Sequence, residues 1–257
     1  MTVWKTVRGI GVPLIAVVVF LLFWEWLVWV NGWPKFKMAA PSDLPPAYER
    51  HWDLFLTMGW QTLWRTVLGL FLAVLFGTLL GMIMGFSRLM RDALYPLLVG
   101  FNAIPKATVV PIVALMFVGQ HDFNTVLLAF MISFFPIAVS VSIGLSTLEP
   151  EYRDILRSLG ASQATIFWKI ALPKTLPEFF GALKVAVTLA FIGTNLMEIV
   201  SPHGRGLGAL FDSGRTNSDF PLMFAVLIAL AFLGIVLYYI VVALEKIFAG
   251  WAERAPG

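Results

Sequence analysis

Residues Glu151–Pro173 read EYRDILRSLGASQATIFWKIALP and form a charged, amphipathic island in a chain otherwise dominated by long apolar runs. Apolar side chains recur in its first half at the i, i+3, i+4, i+7 spacing of one helix face, set by Tyr152, Ile155, Leu156 and Leu159. A protein built for lipid has little reason to keep a long polar loop with helical periodicity unless that loop meets something in water. The segment therefore predicts a docking surface for a soluble partner.

A glycine divides the same segment. Gly160 predicts a break after the first helix, and Ser162 is placed to cap a second one, because short hydroxyl side chains accept hydrogen bonds from the first free amides of a helix. Pro173 ends the second helix. We expect two short helices joined by a sharp turn and lying along the membrane surface.

The composition indicates a membrane protein. Of the 257 residues, 59% are hydrophobic and 13% are charged, whereas a soluble domain carries roughly 25% charged residues. The chain has no cysteine, so disulfide and thiol chemistry are excluded, and its net charge of +3 requires no nucleic acid. Its three histidines lack metal-ligand spacing, and neither a nucleophile motif nor a phosphate-binding Walker A loop is present.

Runs of about 20 apolar residues predict six membrane spans in an all-α bundle: Ile10–Val30, Leu63–Phe86, Pro96–Val118, Thr125–Leu145, Phe179–Val200 and Leu222–Phe248. Positive charge between the spans then sets the orientation. With the N-terminus inside, ten basic residues are cytoplasmic: Lys5, Arg8, Arg88, Arg91, Arg153, Arg157, Lys169, Lys174, Lys246 and Arg254. Five are outside: Lys35, Lys37, Arg50, Arg205 and Arg215. Both termini, and the segment Glu151–Pro173, are therefore predicted to be cytoplasmic.

The second span carries a small residue at every fourth position. The stripe consists of Gly69, Ala73, Gly77, Gly81 and Gly85. Small residues let two helices approach closely in lipid, where no hydrophobic effect drives them together. The stripe predicts tight helix packing, either inside the bundle or at a dimer interface.

Polar residues inside the spans are candidates for a translocation path. The third span contains Asn102 and Lys106 beside two prolines, and a lysine at this depth costs roughly 3 kcal/mol to insert unless it finds a partner or water. A positive charge beside a path favours an anionic or electron-rich solute. The fifth span adds Asn195 and Glu198; Glu198 is placed either at the headgroup level or in a pair with Lys106.

The segment between the last two spans is rich in glycine. Gly204, Gly206 and Gly208 predict a tight turn followed by a short re-entrant or surface segment on the outer face. This face either receives a soluble substrate-binding protein through complementary charge or is a plain connector.

The amphipathic segment resembles the cytoplasmic EAA loop of ABC importer permeases. That loop has the pattern Glu-Ala-Ala, three residues, Gly, nine residues, then Ile-x-Leu-Pro; here Gly160 is followed by nine residues and by Ile170, Ala171, Leu172 and Pro173. The residues in place of Glu-Ala-Ala are Asp154, Ile155 and Leu156, which keep one acidic group.

The resemblance extends over roughly residues 40 to 245 and is to the permease branch for nitrate, sulfonate and taurine. That branch also includes permeases for thiamine-precursor pyrimidines and riboflavin. The similar runs are TLWRTVLGLFLAVLFGTLLGMIMGFSRLMRDALYPLL from Thr62, NAIPKATVVPIVALMFVG from Asn102, SLGASQATIF from Ser158 and GRGLG from Gly204. The triplet Ile104-Pro105-Lys106 is most similar to the pyrimidine-type members.

This resemblance implies a type I importer permease: one domain over residues 1–257, with residues 147–177 as its coupling loop, pairing with a second copy in a bacterial cytoplasmic membrane. It implies an ATPase partner that binds ATP and Mg²⁺, with no cofactor on this chain, and a periplasmic or lipid-anchored binding protein. The solute would be small and polar or anionic. The residues that would couple to the ATPase are Asp154, Arg157, Ser158, Gly160, Ala161, Ser162, Ile170, Leu172 and Pro173.

Two other functional classes are weighed against the importer. A secondary transporter or channel subunit would work without an ATPase and is often built from inverted repeats, of which the halves of this chain give no convincing sign. A membrane-embedded enzyme would need clustered polar or metal-binding residues near one interface, and the sequence has no such cluster.

Overall fold

The described residues of the chain form helices and no strands. The computed structural model describes residues 2–146, 155, 158–160, 162, 165, 167–201 and 204–251. The α-helices are α1 (Thr2–Asn31), α2 (Pro45–Phe86), α3 (Arg88–Ala103), α4 (Lys106–Met116), α5 (His121–Ser146), α6 (Leu172–Val200), α7 (Leu207–Thr216) and α8 (Phe220–Phe248). A short 3-10 helix covers Pro41–Asp43, and a π-helical turn covers Phe167–Ala171. The all-α prediction is confirmed.

Four helices are long and apolar enough to cross a membrane: α2, α5, α8, and α6 together with its preceding turn, Trp168–Val200. The helices α3 and α4 meet these criteria only together, as a pair bent by 90° that is a broken span or a re-entrant loop. In α1 the apolar part is the shorter stretch Ile15–Asn31. Six spans and the orientation of the termini stay predictions.

The bend between α3 and α4 has a local cause. Pro105 lacks an amide hydrogen and disfavours helical backbone in the residue before it. Ile104 accordingly is extended, with φ −64° and ψ 127°. The predicted third span Pro96–Val118 is therefore two helices at this position and not one continuous helix.

The small-residue stripe of α2 packs against α5 inside the chain. A Cβ added at Gly77 would lie 2.9 Å from the carbonyl oxygen of Phe134, and one added at Gly81 would lie 2.7 Å from that of Ala138. Both distances are too short for real side chains, so the two backbones approach as closely as glycine allows. The stripe therefore packs inside the bundle, which is one of the two uses predicted for it.

The bundle has two ends that matter for function. We call the end where α6 begins the Gly160 end, and the end where α6 finishes beside α7 and the first turn of α5 the α7 end. Between them, apolar side chains of α2, α5, α6 and α8 form the main core, with Ala73, Ile137 and Ala186 fully buried. The Lys184 ammonium, on α6, makes an ion pair at 2.8 Å with Glu245 on α8 and ties these two helices together.

Candidate functional site

The turn at Gly160 has the geometry that the sequence predicts. The amide of Leu159 donates to the carbonyl of Ile155 at 3.1 Å, as in a helical turn. Gly160 then takes a left-handed backbone with φ +79°, which is open to glycine at no steric cost. The hydroxyl of Ser162 accepts a hydrogen bond from the amide of Thr165 at 3.1 Å, the contact of a helix N-cap.

Large apolar side chains are exposed around this turn. Ile155 is 56% exposed, Leu159 77% and Trp168 64%. We call these three the turn surface. Large exposed apolar side chains in an otherwise polar segment are candidates for a protein interaction site. The predicted coupling residues Asp154, Arg157 and Ala161 lie outside the described residues.

The segment that contains Gly160 leads directly into α6. The π-helical turn Phe167–Ala171 ends where α6 begins at Leu172, with Ala171 almost fully buried. The hydroxyl of Thr175 donates to the carbonyl of Ala171 at 2.7 Å across this junction. Because no loop intervenes, a displacement of the turn moves the start of α6.

Lys106 lies at the break between α3 and α4. Its Nζ donates to the carbonyl oxygens of Phe101 and Asn102, both at 3.0 Å, and lies 5.1 Å from the ring of Phe101. The ammonium therefore satisfies free carbonyls at the carboxyl end of α3, where a cation also interacts favourably with the helix dipole. The ammonium of Lys106 is therefore satisfied by carbonyl groups of its own chain segment. Asn102, beside it, is exposed.

The four path candidates do not form one site. Asn102 and Lys106 lie together at the break, whereas Asn195 and Glu198 lie on the last turns of α6. Asn195 donates to the carbonyl of Phe191 at 2.7 Å, and its enclosed Oδ1 accepts no hydrogen bond within the part of the chain that the structure describes. Glu198 pairs with Arg65 and not with Lys106, and its depth in the membrane stays a prediction.

Glu198 is instead the centre of a buried charge cluster at the α7 end. Its side chain is 1% exposed and that of Arg65, from α2, is 2% exposed, with Arg65 Nη1 3.1 Å from Glu198 Oε1. The hydroxyl of Thr62, one turn before Arg65, donates to Glu198 Oε2 at 2.9 Å. The buried carboxylate of Glu198 is thus paired with the guanidinium of Arg65 and accepts a hydrogen bond from a hydroxyl on the same neighbouring helix.

Asp122 joins the charge cluster from the first turn of α5. Its Oδ1 accepts from Nε of Arg65 at 2.8 Å and from Nη2 at 2.5 Å. A further donor, Nη1, contacts the carbonyl oxygen of Arg205. The fork of Arg65 therefore joins α2, α5, α6 and the segment before α7, and Asp122, at 59% exposure, is the member open to solvent.

The charge cluster also caps α7. The amide of Leu207 donates to the hydroxyl of Thr62 at 2.8 Å, and the amide of Gly208 donates to Glu198 Oε2 at 3.0 Å. Amides in the first turn of a helix have no partner within it, and the helix dipole favours an anion there. Two side chains from α2 and α6 thus hold the start of α7.

The glycines of this segment make room for that carboxylate. Gly206 has φ +121°, and a Cβ added there would overlap the carboxylate of Glu198. A Cβ on Gly208 would lie 2.8 Å from the Cβ of Glu198. The predicted short segment after the turn is the helix α7, and the reason for glycine at Gly206 and Gly208 is the close approach of Glu198.

The members of the charge cluster differ in how much folding free energy is lost when each is removed. Removing one partner of a buried ion pair typically costs about 3–5 kcal/mol, because the other charge stays buried and unpaired. A solvent-exposed ion pair contributes only about 0–1 kcal/mol. Breaking the buried pair Arg65–Glu198 should therefore cost several kcal/mol, whereas the contact of Arg65 with the exposed Asp122 is closer to a surface ion pair.

Sequence reasoning did not select Arg65, Thr62 or Asp122. Arg65 could have been identified as a lone arginine inside the apolar run of α2, because a charge inside a membrane span requires a partner. Its partners lie 57 and 133 residues further along the chain, and no local pattern indicates them. Within the described residues, no cluster of three or more histidine, aspartate or glutamate side chains is arranged to hold a metal ion.

Comparisons with known proteins agree with the fold and the sequence patterns. Residues 73–251 match the family described as "Binding-protein-dependent transport system inner membrane component". The chain is 29% identical to the formylaminopyrimidine transport permease protein ThiX of Halalkalibacterium halodurans, covering 94% of this chain and 96% of that protein. It is 30% identical to the riboflavin transport system permease protein RibX of Chloroflexus aurantiacus, with coverages of 95% and 90%.

The fold is similar to that of a solved transporter. A chain of the MetNI methionine ABC transporter, in an inward-facing conformation, superposes with a TM-score of 0.63 over 77% of this chain and 96% of that chain. The sequence identity is 19%, so this likeness concerns the fold.

Proposed function

We propose that the chain imports a small polar or anionic solute by alternating access. It belongs to the family of binding-protein-dependent transport system inner membrane components and is an ABC importer permease subunit. ATP and Mg²⁺ would bind to a separate ATPase subunit, and a periplasmic or lipid-anchored binding protein would deliver the solute. A second copy of the chain would complete the path in a bacterial cytoplasmic membrane. The family match over residues 73–251 is the observation that carries this proposal.

In this proposal the Gly160 end faces the cytoplasm and the α7 end faces outward. The distribution of lysine and arginine supports that orientation. The turn surface would then contact the ATPase, with Gly160 and Ser162 setting its shape. Because the π-helical turn leads into α6 without a loop, ATP-driven movement of the ATPase would pass directly into the bundle, and α2, packed on α5, would move with it.

The solute path would pass the break between α3 and α4. A helix interrupted inside a membrane is tolerated where it lines a cavity or is buried in protein, and the exposed Asn102 next to Lys106 favours a cavity. Asn195, half-buried on the last turns of α6, would lie further along the path, nearer the outer end. The names of ThiX and RibX indicate nitrogen heterocycles as solutes, so such compounds are the first to test on this chain.

We expect Lys106→Met to lower solute uptake by roughly tenfold or more. The variant would lose a hydrogen bond between the ammonium and the solute, and a hydrogen bond to a charged group contributes about 1.5–3 kcal/mol. Lys106→Arg keeps both the charge and the contact with the end of α3 and should retain most of the activity. Uptake into proteoliposomes, normalised to the amount of assembled complex, measures both. Lys37→Met, which removes an exposed lysine beside Trp33, is the matched control. Unchanged uptake by Lys106→Met would assign the lysine to structure alone.

Purification of the complex from mild detergent extracts of native membranes tests the proposal as a whole. We expect a stoichiometric ATPase subunit to accompany the permease, identified by mass spectrometry. Charged substitutions on the turn surface, such as Leu159→Glu, should release it. A permease that is recovered intact but alone, and that transports without ATP, would contradict the proposal and favour a secondary transporter or channel subunit.

A further inference from the structure

The charge cluster connects a surface helix to the helix that follows the coupling turn. α6 is a single helix of 29 residues, and at 1.5 Å per residue it is about 43 Å long, enough to cross a membrane. It begins directly after the π-helical turn at the Gly160 end. At its other end Glu198 accepts a hydrogen bond from the first turn of α7.

One face of α7 is buried and the other is polar and exposed. Leu207 and Leu210 pack into an apolar cluster with Leu222 and other side chains of α1, α2 and α8. On the opposite face Ser213, Arg215 and Thr216 are exposed, and Arg215 pairs with Asp212 at 2.6 Å. Apolar packing of this kind holds α7 on the bundle, whereas the amide hydrogen bonds fix its first turn to α2 and α6 in particular.

We propose that Thr62 and Glu198 are positioning residues that pass nucleotide-driven movement of α6 to α7, so that the ATPase controls the outward surface of the permease from the far side of the membrane. This inference rests on the proposed function, which supplies the ATPase and the orientation. The exposed polar face of α7 would be the part of the outer surface that meets the hydrophilic binding protein. A coupling of this kind needs two states that both sites bias; in this proposal they are two positions of α6.

The chain offers a matched pair of substitutions for the test. Thr62 and Thr66 are both fully buried and lie one turn apart on α2. The hydroxyl of Thr62 binds Glu198 and the amide of Leu207, whereas that of Thr66 lies 3.0 Å from the hydroxyl of Thr194 on α6 and contacts nothing in α7. Valine has nearly the shape of threonine, so Thr62→Val removes one of the two hydrogen bonds that hold the first turn of α7 and leaves the one between Gly208 and Glu198. Thr66→Val removes an equally buried contact between α2 and α6.

Because the natural chain has no cysteine, a single Ser213→Cys reports on α7 without background from this subunit. The assembled permease–ATPase complex in nanodiscs is labelled with a charged maleimide, with and without Mg·ATP plus vanadate, and the rate is followed on the permease band. We expect trapping to change the rate about fivefold or more, the usual size of an allosteric coupling. Thr62→Val should lose a measurable part of that change, since the hydrogen bond between Gly208 and Glu198 remains, and Thr66→Val should keep all of it.

Each other result overturns the inference. If the unaltered complex hydrolyses ATP but trapping leaves the labelling rate of Ser213→Cys unchanged, α7 is not controlled by the ATPase, and the proposed function stands. The inference also fails if Thr62→Val keeps the response, or if both valine variants lose it alike, since general packing of α2 on α6 would then be responsible. A permease that purifies with no ATPase would overturn the proposed function, and this inference with it.

Discussion

Arg65→Met is expected to remove about 3–5 kcal/mol of the stability of the folded permease, because it leaves the carboxylate of Glu198 buried without its cation. The native state of a protein is only about 5–15 kcal/mol more stable than the unfolded chain. The variant should therefore accumulate poorly in membranes and lose its monodisperse profile at lower temperature in fluorescence-detected size-exclusion chromatography.

Two controls separate the charge effect from simple loss of packing. In the double variant Arg65→Met with Glu198→Met, both charges are absent, and the double variant should be more stable than Arg65→Met alone, since an apolar pair of similar volume is often neutral where a lone buried charge is not. Asp122→Asn, at the exposed side of Arg65, should cost only about 0–1 kcal/mol. Equal losses in all three variants would contradict the division of the charge cluster into buried and exposed members.

Gly160→Asp is expected to abolish ATP-driven uptake while the permease still inserts and folds. Among the residues that the structure describes, nothing lies within 4 Å of a Cβ at this position, and aspartate is among the residues that tolerate a left-handed backbone. The new carboxylate would lie on the turn surface, beside the exposed Leu159, and would be desolvated without a partner when an ATPase docks there.

Gly32→Asp is the matched control for this prediction. Gly32 also has a left-handed backbone, with φ +58°, and an added Cβ there also meets no described residue within 4 Å. Gly32 follows α1, away from the Gly160 end. We expect Gly32→Asp to keep uptake and ATPase binding. Normal uptake by Gly160→Asp, with the ATPase still bound, would remove the turn from the coupling mechanism.

The sequence predicts those parts of the fold that depend on local patterns. Long apolar runs predict the helices, and Gly160 followed by Ser162 predicts the turn and cap that the structure contains. Pro105 predicts the interruption of the third span, whereas the size of the bend, 90°, is not given by the local pattern. The stripe on α2 predicts a close neighbour, but whether that neighbour is α5 or a second subunit is decided by tertiary structure.

The charge cluster could be predicted only in part. A glutamate near the end of a span and an arginine within an apolar run both require partners, yet neither sequence position indicates the other. The pairing arises because α2 and α6 are adjacent at the α7 end, across 133 residues of chain. The glycines of the segment before α7 indicate a turn in the sequence, whereas their role in accommodating Glu198 depends on the same tertiary contact.

The glycine stripe also has a consequence for biosynthesis. Gly69 on α2 faces Ala129 on α5, where an added Cβ would lie 2.5 Å from that of the alanine. The two positions are about 60 residues apart, so at a synthesis rate of roughly 5–20 residues per second α5 emerges about 3–12 s after α2. During that interval the smooth face of α2 borders lipid or the insertion machinery. Because both helices belong to one polypeptide, a single subunit can close this seam by itself once α5 has been made.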